Sequence, residues 1–312
     1  MSKKLLLIDG HSLAYRAFYA LPATMQNKKG QQTNVIHGFV KMLMRLINMF
    51  QPDGLAIAFD THVPTFRHKE YKEYKAHRPP SPPEFHTQVP LLRELLGELG
   101  VKALSVDGYE ADDLLATLAV EGAAHNMQVE IITGDKDILQ LVAKNISVMM
   151  PKKGLSEMTE YNDQNFIDQT GLTPLQFIDY KSLKGDPSDN IKGVEGVGDK
   201  TATQLLQTYG SIDEMLDNDL QDLSEKMRNK IKESAETVLF NRKLTTLDKK
   251  VPIPELNTAW NYEGLKFSDA APLMKELSLY SIMRNVGIDP ETVQEPAEAP
   301  AAKESEQLGL FG

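Results

Sequence analysis

Along the first half of the chain, apolar residues come in short unbroken runs, and each run leads to an acid. KLLLIDG, ending at Gly10, is the first, and Leu13, Ala14, Ala17, Phe18 and Leu21 follow it at helical intervals. GLAIAFD closes on Asp60, VKALSVDGYEADD reaches Glu110, Asp112 and Asp113, and VEIITGDKD reaches Asp135 and Asp137. Unbroken apolar runs alternating with helical segments predict a mostly parallel α/β sheet flanked by helices, because a strand covered on both sides has no polar face to show. Ligand sites in such sheets lie at the carboxyl ends of the strands. The pattern therefore predicts an α/β core over 1–160, with carboxylates from four runs delivered to one edge of one sheet.

From about Asn162 the texture changes. Pro174 opens a helical stretch, glycines 185, 193, 196 and 198 punctuate a dense turn region, and Thr201 to Tyr209 resumes helical spacing. We read 161–288 as a second, mostly helical lobe with a glycine-turn motif at 185–206. Within 62–90, Arg67, Tyr71, Tyr74, Lys75 and Arg78 recur at spacings of three, four and seven, which predicts one helical face. The run Arg78-Pro79-Pro80-Ser81-Pro82-Pro83 then forces an extended segment. Residues 289–312 are rich in Pro, Ala and Glu and poor in large apolar side chains until the very end, which predicts a flexible tether.

Composition sharpens this picture. The chain of 312 residues has no Cys, which removes disulfides, thiolate zinc sites and cysteine nucleophiles, so any metal must take oxygen or imidazole ligands. No apolar stretch approaches the roughly 20 residues needed to span a bilayer, and the four apolar residues before Asp9 are too few for a signal peptide. A cytoplasmic protein with no membrane partner is expected. The net charge of −10 argues on average against a nucleic-acid binder, but half of it sits after Ile288. Arg67, Lys69, Lys72, Lys75 and Arg78 oppose only Glu70 and Glu73, so charge is segregated, and a polyanion responds to the local pattern.

Nine acids stand at the predicted strand ends or in the later turn: Asp9, Asp60, Glu110, Asp112, Asp113, Asp135, Asp137, Asp186 and Asp189. Each alone could serve as a helix cap or turn residue. Capping needs one acid per helix, however, and here they come in pairs. Close carboxylates stay ionised only with positive charge among them. Oxygen-only ligation favours Mg²⁺ or Mn²⁺, and two such ions roughly 3.5–4 Å apart would clamp the attacking and leaving oxygens of a phosphoryl displacement. In the turn region, the glycines, Lys200 and Thr201 at a helix start suit a phosphate backbone gripped without base reading. The basic, tyrosine-bearing stretch at 67–78 suits phosphate contact and base stacking.

With these residues laid out, the chain resembles the bacterial 5′ nuclease family, the 5′-3′ exonuclease domain found at the N-terminus of DNA polymerase I and as free-standing proteins. The likeness covers about 4–288 and rests on LLLIDGHSLAYRAFYA, AFDTHVPTFRHKEYKEYKAHRPP, GYEADD, ITGDKDILQLV and GDPSDNIKGVEGVGDKTA. It implies a core like that of PIN domains, a helical arch at 62–90 and a helix-three-turn-helix at 193–201 that grips duplex and holds K⁺ through backbone oxygens. It implies Asp9, Asp60, Glu110 and Asp112 as ligands of a first metal and Asp135, Asp137 and Asp189 as ligands of a second. Asp112 would bridge, and Asp113 and Asp186 would help from outside. Lys75 and Arg78 would contact the scissile phosphate. Tyr15, Arg16, Arg67, Tyr74, Gly193, Gly196, Gly198, Lys200 and Thr201 would contact DNA.

The implied function is metal-dependent 5′-3′ exonuclease and flap endonuclease cleavage, on DNA and on RNA primers at duplex junctions. No polymerase domain is legible after residue 288. Gln307, Leu308, Leu310 and Phe311 are similar to the short peptide by which bacterial replication proteins dock on the sliding clamp, which makes the clamp an expected partner. Two other readings remain open on the sequence: a catalytically silent DNA-binding adaptor tethered to the clamp, and a single-strand ribonuclease with a related core.

Overall fold

The computed structural model describes residues 2–254 and 256–294. The tether from 295 onward, with the clamp-like peptide at Gln307, Leu308, Leu310 and Phe311, lies outside the described residues. Six strands form the main sheet: β1 (Lys4–Asp9), β2 (Gly54–Ala58), β3 (Lys102–Leu104), β4 (Gln128–Ile132), β5 (Ile146–Lys153) and β6 (Glu157–Tyr161). Their order is β3-β2-β1-β4-β5-β6, parallel except for β6. This is the predicted α/β class. The chain steps outward from β1 to β3, then returns to place β4 on the other side of β1. The sheet therefore reverses direction between β1 and β4, and clefts open at such switch points.

The unbroken apolar runs have the expected cause. Leu6 and Ile8 of β1 face one core with Leu55 and Ile57, while Leu5 and Leu7 face a second with Ala56 and Ala58. Helices α1 (Gly10–Ala20), α2 (Asn34–Phe50) and α4 (Pro83–Glu98) cover the first face, and α5 (Ala111–Ala124) covers the second. Between them stands the short α3 (Phe66–Glu70).

The helical lobe holds α6 (Phe166–Thr170), α7 (Pro174–Lys184), α8 (Asp199–Tyr209), α9 (Ile212–Asp217), α10 (Glu225–Glu233) and α11 (Ala235–Thr245). Helix α7 starts as the sequence predicts, with Pro174 in its first turn. The Thr173 hydroxyl accepts from the Gln176 amide at 3.2 Å, and the Gln176 side chain accepts from the Thr173 amide at 2.9 Å. A two-stranded ribbon, β7 (Gly185–Asp186) with β8 (Ile191–Lys192), closes the turn region.

Two boundaries differ from expectation. Residues 62–90 do not form one long helix: α3 is five residues, 72–77 are turns, and Lys75 has φ +57°. The spacings of three, four and seven were local coincidence, and tertiary contacts described below override them. The lobe also does not run on to 288. Leu247, Val251, Ile253 and Ala259 pack in the second core, and α12 (Phe267–Glu276) and α13 (Tyr280–Asn285) place Ala270, Met274, Ile282 and Met283 in the first. Amphipathic spacing says that a helix buries one face but not against which layer.

Candidate active site

Strand ends and helix starts deliver the acids as the sequence predicts. Asp9 ends β1 and caps α1, accepting from the Ser12 amide at 2.9 Å and the Thr133 hydroxyl at 2.8 Å. Asp60 lies two residues past β2 and accepts from the Ala111 amide at 2.7 Å, which ties it to the start of α5. Glu110 and Asp112 sit at that start. Asp135 follows β4 and accepts from the Asp137 amide at 2.8 Å. An open cleft of about 520 Å³ is lined by Asp9, Asp60, Glu110, Asp112 and Asp135. Behind it a tighter chamber shares Glu110, Asp112 and Asp135 and adds Asp137 and Asp189. Carboxylate oxygens of Asp137, Asp186 and Asp189 lie within 4.8 Å of one another. Eight of the nine acids therefore form a front and a rear group with a shared wall, and Asp113 stands apart.

The electrostatics show a shortage of positive charge. Burial, with Asp60 and Asp135 adding theirs, pushes the Asp9 carboxyl up to about 7. Burial and then Asp135, Asp9 and Asp60 hold Asp112 well above the usual carboxylate range. Burial and Asp135 push Asp137 up to about 7. Asp186 goes the other way: burial is outweighed by hydrogen bonds from Lys181 and Ser188, which hold it at about 2. Oxygen donors converge at a spacing that one small cation spans, and protons take up charge that a cation would neutralise. The residues present thus fit divalent metal ions.

The protein's own cations meet the acids in part. Lys75 Nζ lies 2.6 Å from Glu110 Oε1, and Arg78 Nη2 lies 2.5 Å from Asp189 Oδ1. Arg78 remains about half exposed, whereas Tyr74 is buried with its hydroxyl 2.9 Å from Asp189 and 3.1 Å from Glu110. Burial, then Glu110 and Asp189, raise the Tyr74 phenol, so it stays a donor. Lys181 of α7, which sequence reading missed, contacts both Asp137 and Asp186. The Tyr-Lys-Ser-Leu-Lys run at the end of α7 reads as an ordinary solvated helix end, so no local signal marks it.

Two family models match the chain: the 5′-3′ exonuclease N-terminal resolvase-like domain over residues 4–171 and the 5′-3′ exonuclease C-terminal SAM fold over 172–267. The chain belongs to the 5′-3′ exonuclease family. Similar proteins include DNA polymerase I of Bacillus caldotenax, 38% identical over 97% of this chain and 34% of that protein. DNA polymerase I of Mycobacterium tuberculosis is 43% identical over 80% of this chain and 28% of that protein. The chain thus spans about a third of the length of these relatives. Among solved structures, the bacteriophage T5 flap endonuclease in a complex with DNA and metal ions has TM-score 0.65 at 20% identity, covering 91% of this chain and 98% of that one. The catalytic core of Rad2 with DNA substrate has TM-score 0.60 at 14% identity, covering 93% and 90%. These likenesses show the shared fold.

In this member of the 5′-3′ exonuclease family the residues expected to touch DNA fall into three sets. Lys75, Arg78 and Tyr15 line the front cleft, with Tyr15 stacked on Phe85 at 4.0 Å between ring centres. Lys200 and Gly198 are exposed at the start of α8, and Gly196 has φ +84°. Four others are committed elsewhere. Arg67 is 1% exposed and forms a bidentate pair with Asp113 at 2.7 and 2.8 Å, so neither faces solvent, and Arg67 meets the rear chamber only as part of its wall, 3.4 Å from Glu110. Tyr74 is buried as a strut between Glu110 and Asp189, so its ring is not free to stack on a base. Arg16 donates to the Pro151 carbonyl at 2.9 Å. Gly193 serves packing: a Cβ there would lie 2.2 Å from the Lys184 carbonyl carbon.

Proposed function

We propose that this chain hydrolyses phosphodiester bonds near 5′ ends, at junctions between single strand and duplex, as a metal-dependent 5′-3′ exonuclease and flap endonuclease. The observation that carries the reading is the pair of carboxylate chambers sharing Glu110, Asp112 and Asp135 at the β1–β4 switch point. Two divalent ions, Mg²⁺ or Mn²⁺, would supply an activated water and charge stabilisation for the leaving 3′ oxygen. Asp9, Asp60, Glu110 and Asp112 would hold the front ion, and Asp135, Asp137 and Asp189 the rear one, with Asp112 between and Asp186 assisting.

The chain's own residues do the rest. Lys75 and Arg78 at the mouth of the cleft exchange their carboxylate partners for the scissile phosphate. The start of α8, with Gly196, Gly198, Lys200 and Thr201, holds the duplex by its backbone, and a K⁺ among the backbone oxygens of 193–201 belongs to the same proposal. Tyr15 offers its ring to a base at the junction. A 5′ strand of RNA primer, a sliding clamp engaged through Gln307 to Phe311, and a cytoplasmic setting complete the reading. Among the described residues no helix is long and apolar enough to cross a membrane.

A labelled flap duplex tests this. Wild type cuts it with Mg²⁺ or Mn²⁺ and leaves it intact in chelator, while Asp135→Ala plus Asp137→Ala abolishes cutting and largely spares DNA binding. Cutting by that double variant at the wild-type rate refutes the assignment. Binding without turnover by wild type in Mn²⁺ would favour the adaptor, which has no use for clustered acids beside a polyanion. A preference for single-stranded RNA would favour the ribonuclease.

A further inference from the structure

The rear carboxylates already hold a cation, and it belongs to the protein. Lys181 stands in α7, with its side chain only 15% exposed and its ammonium in contact with Asp137 Oδ1 and Asp186 Oδ2. Asp186 spends its other oxygen on the Ser188 amide at 2.9 Å and hydroxyl at 2.6 Å. Asp137 Oδ1 is buried and has no hydrogen-bond partner beyond the Lys181 ion pair. Among the described residues no other lysine or arginine pairs with Asp137 or Asp186, and Asp189 is met by Arg78 instead. The front group differs: Lys75 pairs with Glu110 there, while Asp9 and Asp112 have no lysine or arginine partner among the described residues.

We propose that Lys181 is a built-in counter-cation of the rear chamber, which a divalent ion entering among Asp137, Asp186 and Asp189 must outcompete. The inference rests on the reading that these carboxylates hold metal. Two positive centres a few ångströms apart in a partly buried site repel, so the resident ammonium weakens metal binding while keeping the metal-free site from flying apart. Lysine suits this role because its charge is compact and its four-carbon stem lets it swing aside, whereas a rigid guanidinium fork would stay. Removing the ammonium leaves Asp137 and Asp186 without a partner cation, which favours the metal and disfavours the metal-free fold.

The test is a calorimetric titration of Mn²⁺ alone, without DNA, into the full wild-type chain and into Lys181→Met, Lys181→Gln and Lys181→Arg. The weaker class of Mn²⁺ sites is expected to tighten about tenfold in the Met and Gln variants and to stay near wild type, or weaken, in the Arg variant. In chelator the Met and Gln variants should melt lower than wild type, and Mn²⁺ should raise their melting temperature by more. Should Lys181→Met fail to fold without metal, Lys181→Gln, which keeps a hydrogen-bond donor, decides. Unchanged or weaker Mn²⁺ binding in the neutral variants overturns the proposal, because a residue that merely positions the carboxylates would help the metal rather than oppose it. A wild type that binds Mn²⁺ yet cuts no flap would overturn the nuclease reading and leave this role standing. An active nuclease whose neutral variants bind Mn²⁺ unchanged would do the reverse.

Discussion

Arg67 is a buried charge whose loss should cost the fold heavily. Its guanidinium meets Asp113 through two bonds of 2.7 and 2.8 Å, and also donates to the Leu244 carbonyl at 2.7 Å and the Thr246 carbonyl at 3.1 Å. One side chain thus ties α3, α5 and the end of α11 together. Burial works against the charge, but Asp113 and then Glu110 outweigh it and raise the guanidinium further above its ordinary value. Arg67→Met fills the space but strands the Asp113 carboxylate, and breaking a buried pair on one side costs about 3–5 kcal/mol. Two carbonyls losing their donor add about 1 kcal/mol more, since water reaches the end of α11 in part. The expected loss is therefore about 4–6 kcal/mol, read as a lowered urea midpoint with unchanged slope. Adding Asp113→Leu should return part of it, because the stranded charge is gone. If Arg67→Met instead loses under about 1 kcal/mol while the salt dependence of DNA binding falls by about one ion, Arg67 is a phosphate contact and the burial argument fails.

Metal-free stability should fall as pH rises. Asp9 and Asp137 are held at about 7 in the folded chain against an ordinary value near 4, so the fold binds more protons in that window, and the stability they lend is present below it and lost through it, on the order of 1–3 kcal/mol each. Melting in chelator between about pH 5 and pH 8 checks this. The drop should shrink in Asp9→Asn plus Asp137→Asn, with the remainder left to Asp112 and Glu130, whose carboxyls burial also raises, and should reverse with Mn²⁺; a metal-free melting temperature that climbs with pH refutes it. Gly193→Ala and Gly198→Ala should separate folding from binding. The first puts a Cβ 2.2 Å from the backbone of Lys184 and should destabilise by about 2 kcal/mol or more, while the second meets nothing within 4 Å and should spare stability yet weaken duplex binding. Equal melting temperatures for the two would refute that division.

The acids at the strand ends were legible because each follows an apolar run too short for a buried helix and too unbroken for a half-exposed strand. Asp9, Asp60 and Asp135 needed only that rule. The cap of α7 was legible from Thr173, Pro174 and Gln176, which act within one turn. What failed were inferences that needed to know the partner layer. Arg67 and Tyr74 share helical spacing with Lys75 and Arg78, yet the first two turn inward because α5 and β8 close over them. Lys75 adopts φ +57° where its amide reaches the Asp189 carbonyl at 3.0 Å, a long-range contact that no local pattern encodes. Gly193 was legible as a glycine requirement but not as a packing one, since the strand that it crosses lies eight residues away.

The late return of α12 and α13 to the first core changes how the helical lobe can move. Chain enters the lobe from β6 and leaves it after α11, and the return is pinned where the Tyr262 amide donates to the Asp53 carbonyl at 2.8 Å and the Lys266 amide to the Leu99 carbonyl at 3.0 Å. The lobe is therefore a loop pinned at both feet rather than a bead on a string. Side-chain contacts add to these two roots: Lys181 of α7 meets Asp137, and Arg67 reaches the Leu244 and Thr246 carbonyls at the end of α11, so the lobe is tied directly to the strand-end acids. Trimming back to residue 266 would take Ala270, Met274, Ile282 and Met283 out of the first core and uncover the side of α4 against which α12 packs.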